Sequence, residues 1–155
     1  MLCFLQFAQG PSGSLPLAAL ALAASRHFSA ELEVSTAAAP TTAHGPTLVT
    51  LRTTRFGDAS FTLTPRPATD PDYARLDAAE RQNQSSGMAD LGRRCPGVWE
   101  VAPLADSGPA ICYYFGAVLA SVALGPLLPN DESGLYGIRS ARLKADKLNA
   151  AAESG

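Results

Sequence analysis

No charged side chain occurs between Ser107 and Asn130, and Pro109 and Pro126 bracket only sixteen residues of that run. A helix that crosses a bilayer needs about 20 apolar residues at a rise of about 1.5 Å each. The run therefore predicts a helix from near Pro109 to about Gly125, buried in a globular domain. The alternative, a single membrane span, would set Arg139, Arg142, Lys144 and Lys147 on its cytosolic side. Around one such helix, 155 residues make a single domain with some length to spare. Hydrophobic residues are 46% of the chain but aromatics only 7%, because 28 residues are alanine, so the core should be thin.

Cys3, Cys95 and Cys112 are an odd, widely spaced set without a C-x-x-C pair, and His27 and His44 are the only histidines. That excludes a disulfide scaffold and a structural zinc site; Cys3 and Cys112 are expected as small buried hydrophobes in a reducing cytoplasm. Leu15 to Ser25 looks like the core of a secretory signal but lacks its basic lead, since the first charge of the chain is Arg26. A net charge of -2 supplies no broad cationic field for nucleic acid, and the basic run at Arg139, Arg142, Lys144 and Lys147 reads as a solvated helix face. Gly10-Pro11-Ser12-Gly13 lacks the spacing of a nucleophile elbow.

The order of elements follows from periodicity and punctuation. Leu2 to Phe7 predicts a buried strand stopped at Gly10-Pro11-Ser12-Gly13, and Ser14 caps a helix with Pro16 in its first turn, running to about Phe28. Ala30 to Val34 alternates Glu31 and Glu33 with Leu32 and Val34, a strand with one wet face. Strand, helix, strand at this spacing predicts a right-handed parallel unit. Thr47 to Thr53 and Ser60 to Thr64 follow as an antiparallel pair turning at Arg55 to Asp58. From Pro65 to Gly97 an irregular, mobile excursion is expected, with one short helix from Asp72 to Gln82 capped by Asp70 with Pro71 at its first position. Val98 to Val101 adds a strand, Asp106 or Ser107 caps the apolar helix, and a charged helix begins at Ser140.

In this order the chain resembles the N-terminal, thioredoxin-like domain of the glutathione transferase superfamily. Three segments carry the resemblance: Gly45-Pro46-Thr47-Leu48-Val49, similar to the family's cis-proline before its third strand; Asp106-Ser107-Gly108-Pro109-Ala110-Ile111, similar to its acidic-Ser-x-x-Ala-Ile signature; and Gly134-Leu135-Tyr136-Gly137, similar to its exit sequence. The resemblance implies an α/β fold of thioredoxin-like β-α-β-β-β-α type over residues 1–137, interrupted at about 65–97, with 138–155 a charged helical tail or linker. It also implies that Asp106, Ser107, Gly45 and Pro46 would surround glutathione if the chain binds it. Simple capping explains Asp106 and Ser107 equally well. Only Ser12 and Ser14 stand where the family keeps its activating residue, and nineteen residues after Tyr136 are too few for the helical second domain of a working transferase.

The beginning of the chain is more similar to the non-catalytic domains of this superfamily appended to eukaryotic aminoacyl-tRNA synthetases. The reading that follows is a docking module of the translation machinery whose partner is another such domain or a synthetase-complex protein. Tyr113, Tyr114 and Phe115 are its interface candidates, although helical periodicity makes at least one of them core. The alternatives are a glutathione-binding enzyme or a fragment of one, and a secreted or single-span membrane protein. Neither a metal nor a cofactor other than glutathione is expected.

Overall fold

A computed structural model describes residues 1–7, 15–34, 46–83, 87–105 and 107–154. Along the chain run β1 (Leu2–Leu5), α1 (Leu17–His27), β2 (Ala30–Val34), β3 (Thr47–Thr53), β4 (Asp58–Pro67), α2 (Asp70–Asn83), α3 (Met88–Arg93), β5 (Gly97–Pro103), α4 (Pro109–Ala123), β6 (Leu124–Leu128) and α5 (Ile138–Ser154). The strands form one six-stranded sheet in the order β2-β3-β4-β5-β1-β6, every neighbouring pair antiparallel. The mixed α/β class is as expected. No described helix is long and apolar enough to cross a membrane.

The parallel unit expected from β1, α1 and β2 is not formed. Alternating directions make β1 and β2 run the same way, but β5, β4 and β3 lie between them. Burial is the reason. All four residues of β1 are buried, which requires cover on both faces, whereas β2 buries only Ala30 and Leu32 and leaves Glu31 and Glu33 in water, which suits an uncovered edge.

On one face α1, α4 and α5 pack against Cys3, Leu5, Leu32, Val49, Leu51, Phe61, Leu63, Trp99 and Leu127. The charge-free run forms the middle helix of this layer, and nine of its residues, Ile111 and Ala123 among them, are buried. Phe115 stacks on Phe61 with ring centroids 4.2 Å apart. The charged terminal helix is a packed element rather than a free tail: Ala141 and Ala145 of α5 are fully buried in the same cluster, and Asp146 pairs with Arg55 at 2.7 Å.

The expected irregular excursion is instead β4 prolonged to Pro67, then α2 and α3. Leu2, Phe4, Val98 and Leu128 point to the other face of the sheet and need cover there, and Leu76, Ala79, Ala89 and Cys95 supply it. Pro65 and Pro67 are tolerated in β4 because β3 reaches only to Leu63, so beyond it the missing N–H has no neighbour to serve. The cap of α2 is Thr69 rather than Asp70. Asp72 accepts the Thr69 backbone N–H at 2.8 Å and its hydroxyl at 2.9 Å, the reach-back half of a capping box. Cys3 and Cys95 are fully buried, and Cys112 is only partly so.

Candidate functional site

Ser12, Ser14, Gly45 and Asp106 lie outside the described residues. Of their neighbours, Pro16 occupies the N-cap of α1 rather than its first turn, with no side-chain bond there. Pro46 is exposed beside Thr47, whose partner across the ladder is Leu63, while Leu104, just before Ser107, donates to the Ser60 carbonyl at 2.8 Å. Pro46 and Ser107 thus flank β4 on opposite sides and at different heights. Ser107 does not cap α4: its hydroxyl turns back to the Leu104 carbonyl at 3.1 Å, and Gly108 is the cap. The residue before a proline is driven to extended backbone, and Gly108, at φ -62° and ψ 153° before Pro109, takes the cap position for that reason.

Tyr114 and Phe115 belong to the core rather than to an interface. The Tyr114 hydroxyl donates to the Phe28 carbonyl, and its ring meets Phe28 edge-on, centroids 5.5 Å apart, and Phe56 at 4.6 Å. Arg142, expected as a free surface charge, lies 4.8 Å over the Phe28 ring and donates to the His27 carbonyl at 3.1 Å, closing α5 onto the end of α1. Tyr114→Phe should cost about 1–2 kcal/mol in urea unfolding, since a buried carbonyl loses its donor while the packing is kept; a change below about 0.3 kcal/mol would show that bond to be absent.

Tyr113 is half-buried and stands against Tyr136, centroids 5.1 Å apart. Burial pushes its hydroxyl up to about 12, so it is a phenol and not a base at neutral pH. With Cys112 it lines a cavity of about 230 Å³ between the first turns of α4 and the sheet, whose wall also includes Phe61, Val101, Pro129 and Asp131. Burial likewise raises the Cys112 thiol, which leaves it a poor nucleophile. Asp131 is held ionised by hydrogen bonds from Ser133. Met1 and Asn130 also line the cavity, the Met1 amino group donating to Asn130 Oδ1 at 2.7 Å, so the Asp131 carboxylate is not its only polar group. Among the described residues no three His, Cys, Asp or Glu side chains are grouped to hold a metal ion.

A different part of the molecule exposes large apolar side chains together. Where α4 passes into β6, Leu124 adopts left-handed backbone, φ 61°, and its side chain is 56% exposed. Nearby on α5, Leu143 is 49% and Ile138 39% exposed. These residues border two adjoining depressions of about 370 and 380 Å³ that share Met88, Gly137 and Ile138. Leu91 of α3 lines one, and Leu143 and Arg139 line the other. The face therefore gathers α3, the α4–β6 junction and the start of α5.

Sequence reasoning places Leu124 at the end of a buried helix and passes over Ile138 and Leu143. The available signal is in α5: Ala141 and Ala145, one turn apart, are its buried residues, and Leu143 is out of phase with them. Comparison of the chain with protein-family models, with curated proteins and with solved structures finds no match.

Proposed function

We propose that the chain is a non-catalytic protein-docking module, and that it docks through the apolar face around Leu124, Ile138 and Leu143 rather than through Tyr113, Tyr114 and Phe115. The observation that carries this reading is the exposure of three large aliphatic side chains around adjoining depressions. Isolated exposed leucines are ordinary, but a contiguous apolar surface is kept in water at the risk of aggregation unless something covers it. The thioredoxin-like part of the sequence resemblance rests on the segments around Pro46, Ser107 and Tyr136, and the antiparallel strand order adds no support to it. A cytoplasmic partner from the translation machinery, a synthetase-complex protein or a second glutathione transferase-like domain, is what those segments favour. The docking reading stands without them.

A photo-reactive amino acid placed at position 124 or 143 in the expressed chain tests the reading. Cross-linked adducts to discrete proteins are expected from both positions and not from position 62, a partly exposed threonine of β4. Adducts absent from 124 and 143 would remove the basis for a docking function.

A further inference from the structure

We propose that the cavity between the first turns of α4 and the sheet binds a small neutral aromatic molecule, with room for two fused rings. The site is separate from the docking face and does not depend on it. Its volume is about 230 Å³. An apolar cavity of about 150 Å³ stays dry and takes up benzene, and half as much space again accommodates a molecule the size of indole. The walls are Phe61, Val101, Pro103, Pro129, Tyr113 and Cys112. Two of them are rings already fixed by packing: Phe61 stacks on Phe115, and Tyr113 stands edge-on to Tyr136. Fixed rings favour an aromatic guest, because ring contacts contribute beyond the area they bury and little ordering remains to be done on binding.

The polar groups that line the cavity are engaged with one another. The Met1 amino group donates to Asn130 Oδ1 at 2.7 Å and to the Val101 carbonyl at 3.2 Å. The Ser133 N–H donates to Asp131 at 3.0 Å, and the Tyr113 hydroxyl shares hydrogen bonds with Ser133 and Tyr136. A polar group carried inside by a ligand would give up its hydration and find these partners already taken. Charge does not choose a ligand either, since the lining holds an amino group and a carboxylate together, and their fields oppose one another. Cys112, kept as a thiol by its burial, adds a neutral, polarisable wall rather than an attacking group.

The test titrates the full-length chain with indole, with its cationic relative tryptamine, with its anionic relative indole-3-acetate, and with cyclohexanol, which is neutral but not aromatic. Binding is followed by methyl NMR at Val101, with Leu124 as the distant control. Indole is expected to shift Val101 saturably and to bind about tenfold more tightly than each of the others. Cys112→Phe, which fills the space with a ring, should abolish that shift. Asp131→Asn should leave the affinity for indole within about twofold of the parent. If Cys112→Phe does not fold by circular dichroism, nuclear Overhauser effects from indole to the Val101 methyls in the parent chain locate the ligand instead. No shift at Val101, or a shift at Leu124 alone, would overturn the site. Tighter binding of tryptamine or indole-3-acetate would overturn the neutral ligand, and equal binding of cyclohexanol the aromatic one.

Discussion

Gly125→Ala is expected to cost more than about 3 kcal/mol in urea or thermal unfolding, a large share of the stability of a small domain. A Cβ at Gly125 would lie 2.1 Å from the Phe4 carbonyl oxygen, 2.7 Å from the carbonyl carbon and 3.1 Å from the Cys95 sulfur. Relief would have to come from backbone, because Phe4 sits in β1, pinned by β5 on its other side. The ladder shows why the approach is so close: Cys3 faces Leu127 and Leu5 faces Leu124, and the register shifts between them, where Gly125 lies. Gly116→Ala is the internal comparison. There the nearest atoms are the ends of flexible side chains, Leu127 Cδ1 at 2.9 Å and Met1 Sδ at 3.1 Å. In addition, alanine favours the helix by about 1 kcal/mol over glycine, so the net cost should be much smaller. If the two variants are equally stable, β6 does not lie against β1 in this register.

Asp72→Ala should cost about 3 kcal/mol, because it takes a buried carboxylate away from both terminal nitrogens of Arg66 and from the Thr69 N–H and hydroxyl, leaving Glu100 as the only carboxylate on that guanidinium. Asp72 is 5% exposed and takes both terminal nitrogens of Arg66, at 2.6 and 2.9 Å, while Arg66 Nε reaches Glu100 at 2.6 Å. One guanidinium thus ties β4 to β5 and to the start of α2. Hydrogen bonds from Arg66, with those from Thr69, hold the Asp72 carboxyl down to about 2 against the opposing effect of burial. An unfolded chain has it near 3.9. A lowered pKa stabilises the fold wherever the carboxylate is charged in both states, so the contribution is full above about pH 4 and is lost as pH falls toward 2. The shift corresponds to about 2 kcal/mol. Asp72→Asn should therefore lie well below the parent in stability at pH 7 and converge on it as pH approaches 2; a gap that does not change with pH would rule out the ion pair as its source.

Most kinds of element and their order are legible in the sequence because they depend on local chemistry, but α3 and β6 are not, the first lying in the supposed excursion and the second in what reads as a helix end and a loop. The alternation through Glu31 to Val34, the β-branched run from Thr47 and the proline-bracketed apolar run all become the structures their patterns indicate. Strand adjacency is not legible, since it depends on which faces need cover at a distance. The buried pair of faces on Leu2 to Leu5 decides it, and those four residues read simply as an apolar run. The segment 65–97 is misjudged for a related reason: its prolines and polar residues are conspicuous, whereas the stripe of Tyr73, Leu76 and Ala79 becomes meaningful only once Leu2 and Phe4 are seen to need a roof. Of the candidate site residues, Tyr114 and Phe115 follow the helical period into the core. The exposed face is hidden from sequence reasoning because it joins residues separated by tens of positions, and Leu124 is turned outward by a backbone conformation uncommon for leucine.

The position of β1 also governs the time course of assembly. The β2-β3-β4 meander joins neighbours in the chain and can form quickly, as can α2 with α3. The first strand cannot: its partners are Gly97 to Glu100 on one side and Leu124 to Leu128 on the other. During synthesis its apolar residues wait without a partner on either edge until roughly a hundred more have been added. A nascent chain halted before β5 would expose Leu2–Leu5 as an unpaired hydrophobic segment, the kind that chaperones bind and that aggregates when they do not.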